Sequence, residues 1–533
     1  MSSIMRISRT QEASSYRRSQ GPTLLGYSCR RWTRLLAVCL LLHGGVVNAG
    51  EAVALRVLSF NIWYGGEQVS LDQVVKVIRT VDADIVALQE PDGNTLRIAR
   101  AAGYPYVDTR RHLLSRWPLF DSGSGERTET GLQPYSVTGL DANALHAWAL
   151  IAPGRVIAVG NTHLSSERYG PDLLREGRSV AEVMASENEK RVPEVEPLAR
   201  GFGRLAAAGV PLLLAGDFNS ASHLDWTAAA GKATQPPRGA FEWPVTKQLA
   251  DAGLIDSYRS AHPDPVTKPG YTFTPGYPHP LVRAEEIPGR IDYVFVANAR
   301  VVMSEIVGES GNPAVDIPVM PWPSDHRAVV STISVVPMTA PPLIVVEPRP
   351  VMEGEPFLIR ANMPGRADWT GVVTPRGGDP LRDRLTGIAG VGFWERPTIK
   401  LSTLGLPPGR YDAVLLDHQD RELARTRFTI LGRDAKPSLA VEKTVIRPGD
   451  SIAVAWQNAP GLRFDWIGIY HRGETNVYNY LGYVTTGALH DGQLAIGNES
   501  LPEPLPPGDY ELRLLQDDSY VVLADARFTV ATP

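Results

Sequence analysis

The chain has 533 residues, 43% of them hydrophobic and 21% charged, which excludes a disordered polymer and exceeds what one core can hold, so about two to four domains are expected. The formal net charge of −5 argues against a chain that grips long nucleic acid through a surplus of Lys and Arg, although a local basic groove stays open.

Residues 1–49 read as a signal peptide. Arg30, Arg31 and Arg34 precede the apolar run Leu35 to Leu42, and Val47-Asn48-Ala49 places small residues for cleavage after Ala49. The run is too short to span a bilayer. Export to the periplasm or the extracellular space is therefore expected, by the general route or, given Arg30-Arg31, the twin-arginine route. The only two cysteines, Cys29 and Cys39, lie in the segment to be removed, so the mature chain is expected to have neither thiol nor disulfide.

Residues 50–337 alternate strand-like and helix-like stretches, the pattern of an α/β domain. Leu55 to Ile62 reads as a strand. Ser70 and Gln73 form a capping-box pair ahead of Leu71, Val74, Val75 and Ile78, which share one helical face. Strands follow at Asp84 to Leu88, Ala144 to Ala152, Arg155 to Gly160, Val210 to Ala215, Arg290 to Ala297 and Arg327 to Val336. The charged stretch from Pro171 to Gly209 is expected to break at Pro193 and Pro197 into two helices, or a helix and a loop. Gly231 to Gly289, rich in Pro, Gly and aromatics, reads as loop that walls a site.

After Pro337 the composition changes. Met338 to Pro342 reads as a linker, and short alternating strands with Pro-Gly turns follow, as in all-β sandwiches. Asp368-Trp369 matches Asp465-Trp466, Leu406-Pro407-Pro408-Gly409 matches Leu505-Pro506-Pro507-Gly508, and Arg427-Phe428-Thr429 matches Arg527-Phe528-Thr529. An offset of about a hundred residues marks two copies of one module, assigned to 341–433 and 437–533. In each copy the Asp-Trp pair is expected to open a strand, with the Trp in the core.

Six short motifs lie beside the α/β strands in order: Phe60-Asn61-Ile62, Leu88-Gln89-Glu90, Asn161-Thr162-His163-Leu164, Gly216-Asp217-Phe218-Asn219, Arg290-Ile291-Asp292-Tyr293 and Ser324-Asp325-His326. Amides, imidazoles and carboxylates gathered at strand ends suit a hard metal ion, a phosphate and a water. In this order the set resembles the endonuclease/exonuclease/phosphatase superfamily, shared by DNase I-like nucleases, bacterial sphingomyelinases and inositol polyphosphate 5-phosphatases. The tail modules resemble SKICH-type and Ig-like β-sandwiches through Asp465 to Tyr470 and Gly508 to Arg513.

The resemblance implies a four-layered α/β sandwich of two packed mixed sheets flanked by helices, followed by two all-β sandwich modules. It also implies a metal-dependent phosphoester hydrolase. Glu90, Asn61 and Asp325 are then expected to ligate Mg²⁺ or Mn²⁺. Asp217 would orient and deprotonate the attacking water, with Asn219 holding Asp217 or a phosphate oxygen. His163 and His326 would flank the phosphate, and Asp292 would fix the tautomer of His326. A zinc site on His163 and His326 lacks the nitrogen and sulfur ligands zinc prefers.

The substrate stays open among phosphodiesters, phospholipid headgroups, sugar or inositol phosphates, and nucleic acid. Ile287 to Asp292 lacks the Pro-Ala-Trp-x-Asp-Arg type of signature of eukaryotic 5-phosphatases, which argues against their substrate. A secreted nuclease of the same fold is one alternative. Another is a non-catalytic protein that binds a surface or polymer through its β modules. His146, His262, His279 and the stretch Tyr271 to Gly276 are read as packing or loop residues.

Overall fold

The computed structural model describes residues 51–532 apart from 122–145, 234–238, 277–278, 280, 283–287, 363–367, 392–397, 463, 488, 498–500, 502–503 and 518. The expected signal peptide lies outside these residues.

The α/β region contributes β1 (Val53–Asn61), β2 (Ile85–Gln89), β3 (Tyr106–Asp108), β4 (Leu113–Ser115), β5 (Leu119–Asp121), β6 (Ala147–Ala152) and β7 (Arg155–His163). It continues with β8 (Leu212–Asp217), β9 (Ile255–Asp256), β10 (Asp292–Ala297), β11 (Ala299–Gly308), β12 (Ile317–Pro318), β13 (Ala328–Val335) and β14 (Met338–Thr339). One sheet runs β12-β11-β13-β1-β2-β4-β3; the other runs β5-β6-β7-β8-β10-β9, with β14 added on β7. The segment read as a linker thus begins as a strand of the second sheet.

The inner faces meet through Leu55, Val57, Ile85 and Ala87 on one side and Ile157, Val159, Leu213 and Val294 on the other. The outer face of the first sheet buries Leu58, Phe60 and Val86 under Val74, Val77 and Ile78 of the helix Leu71–Val81. The outer face of the second buries Ala158, Leu212 and Leu214 under Val195, Leu198 and Phe202 of the helix Val192–Ala207 and Val245 and Leu249 of the helix Pro244–Asp251. These are the four expected layers, and strands buried on both faces explain their continuous apolar runs.

Local expectations fare unevenly. The helix Leu71–Val81 starts after Ser70, but the Ser70 hydroxyl makes no cap bond; its carbonyl takes the Gln73 N–H instead, at 3.0 Å. A true capping box sits at Ser179 and Glu182, a spacing equally visible in the sequence. The charged stretch forms three helices, Gly170–Arg175, Val180–Lys190 and Val192–Ala207. Pro193 opens the third, but Pro197 lies inside it, buried with Val195, Leu198 and Phe202. A proline there costs about 3 kcal/mol, whereas each large apolar side chain buried on that face returns about 1.5–3 kcal/mol, so packing wins. The stretch read as loop also holds the helices Pro244–Asp251 and Ser257–Ala261.

Each tail module pairs a three-stranded with a five-stranded sheet, in the same strand order in both copies. Asp368-Trp369 opens the strand Asp368–Pro375, Asp465 directly precedes Trp466–His471, and the Pro-Pro-Gly turns lead into Gly409–Asp417 and Gly508–Leu515. Trp369 joins the sandwich core, as expected. Trp466 does not: it packs outside that core, among Tyr470, Leu515, Tyr480, Tyr483 and Tyr520.

Candidate active site

The strand registers bring the six motifs to one edge. Asn61, the last residue of β1, pairs with Gln89, the last residue of β2. His163 at the end of β7 lies opposite Asp217 at the end of β8, and Asp217 lies opposite Asp292, the first residue of β10. His326 stands just ahead of β13, which returns antiparallel beside β1. Gly216 permits the close approach of β7 and β8; a Cβ there would sit 2.3 Å from the Thr162 carbonyl oxygen.

The side chains converge accordingly. Asn61 Nδ2 donates to Glu90 Oε1 at 3.0 Å and to Asp217 Oδ2 at 3.1 Å. Its Oδ1 accepts from the Trp63 N–H. The Asn61 amide thus bridges the Glu90 and Asp217 carboxylates through its nitrogen, because those acceptors need a donor. The Tyr64 N–H donates to Glu90 Oε2 at 2.9 Å. Asp217 Oδ1 accepts from the Asn219 N–H at 2.8 Å, and Asn219 Nδ2 lies 3.1 Å from His163 Nε2.

Both imidazoles face Asp217 Oδ2, His163 Nε2 at 3.6 Å and His326 Nε2 at 3.7 Å. His326 Nδ1 lies 3.0 Å from Asp292 Oδ2. The Asp325 carboxyl sits within electrostatic reach of Glu90, Asp217 and His326. All eight expected residues therefore gather at one strand edge.

The electrostatics are those of crowded acids. Burial, then the neighbouring Asp292, raises the pKa of Asp217 against the opposing pull of His326 and His163. Burial, reinforced by Glu90 and Asp217 and opposed by His326, pushes Asp325 up to about 7. Burial alone would lower the pKa of His326, but Asp292 and Asp217 outweigh it and hold the ring well above its usual range. Asp217, Asp292 and His326 bring potential ligand atoms within 4.8 Å of one another. Since His326 Nδ1 is engaged by Asp292, that trio suits an imidazolium held between two carboxylates. Asp292 Oδ1 is buried with no hydrogen-bond partner among the described residues. Carboxylates and imidazoles gathered this closely make a donor set that suits a divalent cation.

Several further residues support the site. Gln89 Nε2 donates to Asn161 Oδ1 at 2.8 Å, and Asn161 Nδ2 donates to the carbonyls of Leu88 and Arg111. Ser324 Oγ donates to the Asn61 carbonyl at 2.7 Å. All three lie within the motifs, which was the available signal. The stretch Tyr271 to Gly276, read as loop, supports the site directly: the Phe273 ring packs 5.0 Å from His326, and Thr274 Oγ1 donates to the Asp325 carbonyl. His146 is buried edge-on to Trp148, and burial pushes its pKa down to about 3, in keeping with a packing role. The backbone is strained at the centre, with φ positive at Trp63, Tyr64, Glu90 and Asn219.

Two mixed sheets packed face to face, with acids and imidazoles at one strand edge, define a hydrolase-like α/β sandwich. A model of the Endonuclease/Exonuclease/phosphatase family matches residues 58–326, just over half of the chain. The chain belongs to that family, whose members are generally hydrolases of phosphoester bonds. An uncharacterized protein of Caenorhabditis elegans is 29% identical over 304 residues, covering 52% of this chain and 90% of that one. The structure of an endonuclease/exonuclease/phosphatase from Beutenbergia cavernae is similar at 20% identity, covering 70% of this chain and 99% of that one, with a TM-score of 0.33. A family protein from Bacteroides thetaiotaomicron matches at 15% identity, covering 54% and 96%, with a TM-score of 0.32.

Proposed function

We propose that this chain is an exported hydrolase of phosphoesters that depends on Mg²⁺ or Mn²⁺. The observation that supports it most is the convergence of Glu90, Asp217 and Asp325 with His163 and His326 on one strand edge. Glu90 and Asp325 would hold the cation, with Asn61 and the Tyr64 N–H fixing the Glu90 carboxylate. When bound, the cation would polarise a non-bridging phosphoryl oxygen.

The protein's own groups would do the rest. Asp217, aligned by the Asn219 N–H and Asn61, accepts a proton from water. His326, charged and fixed by Asp292, stabilises negative charge growing on the phosphoryl oxygens. His163, whose Nε2 also faces Asp217, would do so from the other side once protonated. Export is proposed from the basic, apolar and small residues in order before Ala49.

The test is a chelator-controlled screen of bis- and mono-p-nitrophenyl phosphate, sphingomyelin, phosphatidylinositol, sugar phosphates and DNA. Hydrolysis that EDTA abolishes and Mg²⁺ or Mn²⁺ restores is expected. Metal-independent hydrolysis, or none across the panel, would sink the proposal.

A further inference from the structure

The second β-sandwich module touches the very segments that carry the site. Asp517, fully buried, lies 2.8 Å from His112 Nε2, and its Oδ2 accepts from the Gly93 N–H at 3.3 Å. Gly93 is three residues beyond Glu90. The carbonyl of His112 accepts from the Leu88 N–H, on the strand that ends at Gln89, one residue before Glu90. His112 is further held by Thr95 Oγ1 at 2.9 Å and by the Phe464 ring stacked on it.

A second set of contacts is aromatic. Tyr64, whose N–H fixes Glu90, has its ring 6.4 Å from Tyr478 and 6.3 Å from Tyr520, which lie 4.7 Å from each other. Tyr480 lies within electrostatic reach of Glu167, four residues beyond His163.

The two modules differ at this end. After the matching Arg376-Gly377 and Arg472-Gly473 steps, the first copy carries Arg382 and Arg384 where the second carries Tyr478 and Tyr480. The hairpins are otherwise equivalent, since the Leu385 N–H donates to the Val373 carbonyl as the Leu481 N–H does to the Ile469 carbonyl. The second copy thus has rings and a buried acid where it meets the catalytic edge. A detachable localisation module has no need of either.

We propose that the second β-sandwich module is part of the catalytic centre, with Asp517 as a positioning residue for the Glu90 segment and Tyr478, Tyr480 and Tyr520 bracing that segment and the one after His163. This rests on the cation-dependent reading above. Removing a support of a metal ligand weakens the metal by about 10–100-fold, so Mn²⁺ affinity reports the effect without relying on turnover.

The experiment uses the full chain and free Mn²⁺ titrated by electron paramagnetic resonance, with melting recorded on each variant. E90Q should lose the site. D517A should weaken Mn²⁺ about tenfold, and D517N, whose amide oxygen still accepts from the Gly93 N–H, should recover most of the loss. The double variant Y478R/Y480R installs residues that the first module carries on the same hairpin, and it should also weaken Mn²⁺. If D517A does not fold, the double variant decides alone. Wild-type Mn²⁺ affinity in folded D517A and Y478R/Y480R, with E90Q defective, would overturn this inference and spare the proposed function. No Mn²⁺ site in the wild type would overturn both.

Discussion

Asp292 and His326 form a buried pair, Oδ2 to Nδ1 at 3.0 Å, that leaves the opposite ring nitrogen facing Asp217. In the proposed mechanism this carboxylate would fix which ring nitrogen is presented to the phosphate. H326A should lower turnover by about 10²–10⁴, the usual range for a positioned acid or base. D292N should lower it less, since the ring remains. Initial rates on the best substrate of the screen, with circular dichroism to establish folding, check both.

Asp217 is buried beside Asp292, so its charge opposes folding when no cation is present. D217N should abolish turnover while melting, in EDTA, at the same temperature as the wild type or higher. A large drop in melting temperature would show that Asp217 is mainly a structural carboxylate.

A cation bound only by the native state stabilises it by mass action, by about 2.7 kcal/mol at a hundred times the dissociation constant. Mg²⁺ should therefore raise the melting temperature of the wild type and leave E90Q unmoved. An equal rise in both would place the cation elsewhere.

Asp465, in the second module, is buried beside Asp517, with His112 beyond it, and burial and the Asp517 charge push it up to about 8 from 3.8. The folded chain keeps a proton there that the unfolded chain releases. The associated stability is complete below about pH 4 and declines as pH rises toward 8, by up to about 1.4 kcal/mol per pH unit. Compared with D465N, the wild type should thus lose stability between pH 5 and pH 8. Parallel denaturant melts of the two proteins measure the difference.

The sequence revealed the strand-end chemistry because motif and strand coincide: Asn61, His163 and Asp217 end strands, and Asp292 begins one. Periodicity found the helix Leu71–Val81 for the same reason, a single apolar face. Pro197 misled because its cost is local while the burial that offsets it is tertiary. The helices after Gly231 were hidden by surrounding Pro and Gly that mark turns as readily as helix starts. The Asn61 orientation depends on acceptors 29 and 156 residues away. The Asp517 contact with Gly93 spans 424 residues, and no local pattern encodes it.

Glu90 sits at a φ of 54°, a conformation that suits glycine far better than a branched-off carboxylate. Exchanging it for glycine would relieve that backbone and remove one repelling acid from a crowded edge. The same exchange would take away the acceptor of the Asn61 amide and of the Tyr64 N–H, which offsets that relief. The strained backbone thus falls on the very residue proposed to hold the cation, so that local stability and the proposed chemistry pull in opposite directions there.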